Sequence, residues 1–227
     1  MDQAARDGNI EELERLFHLG QIGYTEYAID HASENGHIEV LKFFKENNLE
    51  LKYTNYAIDD ASRNGHIEIL KFFIENNLEF KYTNDAIDYA SKYGHIEILK
   101  FFKENNLQLK YTHHAINWAS RNGHIEILQF FKENNIELKY TVNALNQASQ
   151  KDHINILNFF LKNHLELKFT ERILYTTNNT LNYILHNFDL TQIKITEIDK
   201  SKIPKDSLDS IIHCIMNGKL SNTKRAK

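Results

Sequence analysis

The chain contains one cysteine, Cys214, and one proline, Pro204, and its eight glycines stand singly. A lone cysteine cannot close an internal disulfide, so a reducing compartment is the expected setting. Isolated glycines, each at the break of a helix, leave no glycine-rich loop to cradle a phosphate. No apolar run approaches the roughly 20 residues that span a bilayer. An excess of basic charge is missing as well: 27 Lys and Arg stand against 31 Asp and Glu, for a formal net charge of −4. That balance offers no basic stripe to displace counterions from nucleic-acid phosphates. Neither a membrane nor a nucleic acid is therefore expected as a partner. Residues 1–7 read MDQAARD and lack the apolar segment of a secretory signal. A cytoplasmic or nuclear location is expected if Met1 is the native start.

What is present is a repeat. Residues 24–52 read YTEYAIDHASENGHIEVLKFFKENNLELK, and 53–81, 82–110, 111–139 and 140–168 restate that register without insertion or deletion, a period of 29 residues. A degenerate unit precedes them, with Ala4, Ala5, Gly8, Asn9 and Ile10 in the matching columns, and another follows at 169–190. The division expected is an N-terminal capping repeat at 1–23, five repeats at 24–168, a degenerate repeat at 169–190, and a cap helix with a basic tail at 191–227. Self-similarity at this period points to a stack of supersecondary units.

Each unit reads as two helices. In the first, Thr25 is placed to accept a backbone N–H and open a helix at 26–34. Ala28, Ile29, Ala32 and Ser33 form its inward face, small enough for close helix approach. Asn35-Gly36 breaks that helix, and a second runs over 37–46 with Ile38, Val40, Leu41, Phe43 and Phe44 on its apolar side. Asn47-Asn48 suits a stop, because asparagine tolerates left-handed dihedrals. The alternation at 49–53 predicts an extended connector. Helices of about ten residues do not persist alone, so burial must come from adjacent repeats.

The segment Ala-Ser-x-x-Gly-His-Ile-Glu-Ile-Leu-Lys-Phe-Phe, found with small changes at 32–44, 61–73, 90–102 and 119–131, resembles the ankyrin-repeat segment A-A-x-x-G-H-x-E-x-V-x-x-L. The resemblance covers residues 4–168. It implies an all-α, ankyrin-like helix–turn–helix solenoid. The ordinary unit is about 33 residues, so the missing residues imply shortened β-turn fingers. The Thr-Pro-Leu-His signature is also replaced, by x-Ala-Ile-Asp at 27–30 and its copies. In this the chain resembles the short ankyrin variety of amoebae and the giant DNA viruses that infect them, which would place a viral copy in the host cytoplasm.

Columns that stay constant between repeats serve the stack, whereas columns that change are neutral surface or contact residues. The changing columns lie on the first helices. One reads Tyr27, Tyr56, Asp85, His114, Asn143; four residues on come His31, Asp60, Tyr89, Trp118, Gln147; three further come Glu34, Arg63, Lys92, Arg121, Gln150. The column before the first ends in His113 and Val142. The resemblance implies that this helix lines a concave surface. Aromatic and arginine side chains are enriched at binding hot spots, so Tyr27, His31, Tyr56, Asp60, Arg63, Asp85, Tyr89, Lys92, His113, His114, Trp118 and Arg121 are the candidate partner-binding residues. The densest patch is expected at His113, His114, Trp118 and Arg121.

Other residues invite chemistry without supporting it. His37, His66, His95, His124 and His153 recur at one register, yet stacked helices lie about 8–10 Å apart and a zinc needs ligands within about 2.0–2.1 Å. Adjacent His113 and His114 are expected to point about 100° apart on a helix, a poor chelate. Asp30, Asp59 and Asp88 sit in first turns, where a carboxylate favours the helix dipole and can bond free amides; Asn117 and Asn146 replace them later. No paired carboxylates converge, and Cys214 has no motif-bound histidine, so neither enzyme activity, metal nor cofactor is expected.

Past residue 168 the register decays. Residues 181–188 resemble a shortened second helix, 189–203 look polar and irregular, and 207–217 predict a last amphipathic helix ending at Gly218. The run at 203–212 is faintly similar to the opening helix of an F-box, although a capping helix explains it more simply. Residues 219–227 read as a basic disordered tail. The expected function is noncatalytic binding of a protein partner by a monomer; the alternatives are a ubiquitin-ligase substrate adaptor docking through that last helix, and architectural self-assembly.

Overall fold

Residues 1–204 and 206–218 are described by the structure, a computed structural model; the tail at 219–227 lies outside them. The chain divides into two compact units, Met1–Ala115 and Ile116–Lys227. The helix α9 (His113–Asn122) contributes its first turn to one and its remainder to the other.

The first unit pairs α1 (Asp2–Arg6) with α2 (Ile10–His18), α3 (Tyr27–Glu34) with α4 (Ile38–Glu46), α5 (Tyr56–Asn64) with α6 (Ile67–Glu75), and α7 (Asp85–Tyr93) with α8 (Ile96–Glu104). The odd-numbered helices form one tightly packed layer and the even-numbered ones a looser second layer. The reason lies in side-chain size. Ala28, Ile29, Ala32 and Ser33 are wholly buried, as are their counterparts two repeats on, and such small residues let backbones approach closely. The second layer buries larger groups, with Phe44, Phe73 and Phe102 fully enclosed. Each is worth roughly 1.5–3 kcal/mol of transfer free energy.

Helix ends follow the sequence closely. Gly36, Gly65 and Gly94 take φ of 73°, 76° and 77°, and Asn48, Asn77 and Asn106 take φ of 54°, 53° and 54°. The first helix of the repeat begins at Tyr27 rather than Glu26, and the second at Ile38 with His37 as its N-cap. Thr25 still accepts a backbone N–H, that of Tyr27 at 3.3 Å.

Two devices tie successive repeats together. The Tyr53 hydroxyl donates to the Glu79 carbonyl at 2.9 Å, and Tyr82 to Gln108 at 2.8 Å, while their rings meet Phe73 and Phe102 edge-on at 4.8 and 5.1 Å. Lys81 and Lys110 lie over the same tyrosine rings. The extended connectors are thus joined by side chains, and no strand occurs among the described residues. The second device adds to the expected first-turn role of the aspartates. The free amide that Asp30 bonds belongs to the next repeat: its two oxygens accept the Thr54 N–H at 2.9 Å and the Thr54 hydroxyl at 2.7 Å. Asp59 holds Thr83 and Asp88 holds Thr112 in the same way. Each threonine oxygen then accepts an N–H at the start of its own helix, as Thr54 does from Tyr56 at 3.1 Å. The carboxylate of one repeat therefore orients the cap of the next.

The second unit continues the rule with α10 (Ile125–Glu133), α11 (Val142–Gln150) and α12 (Ile154–Lys162). Here asparagine replaces aspartate: Asn117 accepts the Thr141 N–H at 3.1 Å and donates to the Thr141 hydroxyl oxygen at 2.9 Å. The following first helix shrinks to a 3-10 turn at Glu171–Leu174, and α13 (Asn178–Asn187) starts three residues before the expected 181. Residues 189–203 are less irregular than their polarity suggests. They form 3-10 turns at Ile195–Glu197 and Lys200–Lys202 and bury Leu190, Ile193, Ile198 and Ile203. The last helix, α14 (Leu208–Asn217), packs on α13 and buries Ile211, Cys214 and Ile215.

Candidate partner-binding face

The first helices bury one face and leave the other to solvent, and the division follows the columns. In the first unit Tyr27 and Tyr56 are 57% and 59% exposed, with Asp85 and His114 exposed beside them in that column. His31, Asp60 and Tyr89, four residues on, are half-buried, and so are Arg63 and Lys92. Columns that vary are those that solvent reaches.

These side chains also engage one another from repeat to repeat. Tyr27 stacks on His31 at 5.6 Å, and His31 Nδ1 lies 3.1 Å from Glu34 Oε2. Arg63 sits 3.9 Å from Asp60 and places its guanidinium over the Tyr89 ring at 5.0 Å. Lys92 lies over both Tyr89 and Tyr93, at 5.3 and 4.9 Å, and those two rings stack at 6.5 Å. The result is a platform of cations and aromatic faces that hold one another in place. Burial, and after it the Glu34 charge, pushes the Asp60 carboxyl above its ordinary range. The Tyr93 phenol is pulled down by hydrogen bonding to Lys92 and then to Arg63.

Tyr93 joins this platform from outside the variable columns, although the sequence carries a signal for it. It is the one aromatic in the column occupied elsewhere by Asn35, Asn64, Asn122 and Lys151, and it is 42% exposed. The histidine pair also departs from expectation. The His113 and His114 rings lie 4.3 Å apart and tilted by 36°, lying close together instead of pointing apart, because exposed side chains can turn toward each other. In the second unit Trp118 is half-buried and Arg121 exposed.

The recurrent histidines are packing pieces. A Cβ placed on Gly36 would lie 2.7 Å from His66 Nδ1, and one on Gly65 2.8 Å from His95 Nδ1. Each imidazole thus fills the space that glycine leaves in the repeat before it. Burial, the larger influence, lowers the His66 pKa against a bond to the Glu34 backbone. Among the described residues no group of three or more His, Cys, Asp or Glu could hold a metal ion. No described helix is long and apolar enough to cross a membrane.

A family model described as ankyrin repeats (3 copies) matches residues 28–112 and 87–171. The crystal structure of the human ASB11 ankyrin repeat domain is similar in fold, with a TM-score of 0.62 at 15% identity, covering 81% of this chain and 96% of that one. No curated protein matches. Ankyrin repeats indicate a protein–protein interaction module, and the family is generally a noncatalytic binding scaffold.

Proposed function

The chain belongs to the ankyrin-repeat family, and from that premise we propose that it binds a protein partner, without catalysis, through the variable face of its first helices. The observation that carries this reading is the coincidence of variation and exposure in the first unit. Invariant columns such as Ala28 and Ala32 have no accessible surface, while the changing columns present Tyr27, Tyr56, Tyr89, Arg63 and Lys92. Aromatic and arginine groups supply large contact area at low entropic cost. Because Arg63, Tyr89, Lys92 and Tyr93 already hold one another, little side-chain freedom remains to be lost on binding. Charged members such as Asp60, Asp85, Lys92 and, in the second unit, Arg121 would set register and selectivity.

Site-specific photo-crosslinking tests the assignment. A photoreactive residue at position 56 or 89 should yield partner adducts in cell extract, and one at position 68 or 97, on the second helices, should not. Adducts from 68 and 97 alone would move the face elsewhere.

A further inference from the structure

The second unit, Ile116–Lys227, contains an open hollow of about 240 Å³ whose charged lining is Arg121, Lys151 and Arg172. Two of these arise where the sequence leaves its own repeat. Lys151 and Asp152 stand where three of the four earlier repeats have Asn-Gly and the other has Tyr93-Gly94, and Arg172 lies on the 3-10 turn that replaces a first helix. Asp152 adopts the left-handed φ of 59° that glycine takes elsewhere. Its carboxylate is spoken for, accepting from Thr176 and Thr177 at 3.0 and 2.7 Å.

None of the three cations forms an ion pair among the described residues, in contrast to Lys42, Lys71 and Lys100, which meet Glu39, Glu68 and Glu97 at 2.7–2.8 Å. No acidic side chain lines the hollow. The hollow therefore asks for a ligand that brings an oxyanion to three positive groups. A nucleic-acid strand would look for aromatic faces on which to stack its bases, and the lining has none. An acidic peptide supplies the oxyanion from a side chain, and its backbone suits the amide-bearing wall of Asn143, Gln147 and Gln150.

Resting on the reading of the chain as a protein-binding module, we propose that this hollow anchors an acidic segment of the partner, with a carboxylate or phosphate side chain seated among Arg121, Lys151 and Arg172. Charge-assisted bonds to such groups are the strong ones, so three of them together can anchor the segment.

Fluorescence anisotropy on the full chain tests this with four labelled probes: a glutamate-rich peptide, its glutamine counterpart, its phosphoserine counterpart, and a mixed-sequence single-stranded RNA. The glutamate or phosphoserine peptide should bind, and their ranking identifies the oxyanion; the glutamine peptide should not. The combined variant Arg121→Gln, Lys151→Gln, Arg172→Gln should weaken that binding by about tenfold or more, and added salt should weaken it further. Removing equal charge at the second helices, Lys42→Gln with Lys71→Gln and Lys100→Gln, should leave it unchanged. Absence of binding by both acidic peptides, equal binding by the hollow variant, or tighter binding of RNA would overturn the proposal. If that happens while crosslinking from positions 56 and 89 persists, the anchor is wrong and the interaction face stands.

Discussion

Replacing Asp88 separates two contributions that its geometry combines. The side chain is 3% exposed; it accepts the Thr112 N–H at 2.9 Å and the Thr112 hydroxyl at 2.6 Å. Asp88→Ala leaves a partly buried backbone N–H unmet, which costs about 1–3 kcal/mol, and frees the threonine that caps the next helix, worth about 0.5–2 kcal/mol. Against this, removing a buried carboxylate returns part of its desolvation cost. The expected net loss is about 2–3 kcal/mol. Asp88→Asn should cost less than about 1 kcal/mol, because Asn117 holds Thr141 with the same two contacts. The pH dependence sharpens the contrast. Burial is the first cause that raises the Asp88 pKa, opposed by the Thr112 bonds. The native state then binds the proton more tightly than the unfolded state, so this group's contribution is full below 3.8 and is lost as pH rises through the elevated folded value. The asparagine variant lacks that slope and should gain on the wild type as pH rises across the window. Urea unfolding followed by far-UV circular dichroism, in steps from pH 4 to 7, reads both effects. Equal losses for Ala and Asn, or no loss for Ala, would refute the latch.

Phe102, fully buried with the Tyr82 ring edge-on at 5.1 Å, should cost about 3–5 kcal/mol on substitution by alanine, read as a lowered unfolding midpoint. Gly65→Ala combines a left-handed φ of 76° with a Cβ 2.8 Å from His95 Nδ1; the backbone part alone costs about 1–2 kcal/mol, and adding His95→Ala should recover only the steric remainder. In an ultraviolet titration Tyr93 should ionise below the buried-side tyrosines Tyr53, Tyr82 and Tyr140, whose values burial raises. Lys92→Gln, and to a smaller degree Arg63→Gln, should abolish that early step. By contrast Lys71→Ala, which breaks an exposed pair with Glu68, should leave the unfolding midpoint nearly unchanged, because solvent screens such pairs.

The fold was legible because each signal was local and repeated. The Ala-Ile-x-x-Ala-Ser spacing, the Asn-Gly breaks and the paired phenylalanines fix helix length and buried face within one unit, and recurrence does the rest. The Asp–Thr latch was harder to see, since its partners lie 24 residues apart and each residue alone has a sufficient helix-terminal explanation. Tyr93 sits at the helix end, outside the helical spacing that relates the variable columns. At 189–203 aspartates and threonines, which read as loop, fold into turns that seat isolated isoleucines. Side-chain interlocking of Arg63 with Tyr89 depends on rotamers across two repeats, which no single-helix pattern carries.

The most direct measurement is quantitative capture from cell extract by the wild type, by Tyr89→Ala with Trp118→Ala, and by Lys71→Ala with Lys100→Ala, each first shown to be folded. The proteins retained by the wild type should be lost by the first variant and kept by the second. Retention by the first variant together with loss by the second would show that the first helices are not the binding face.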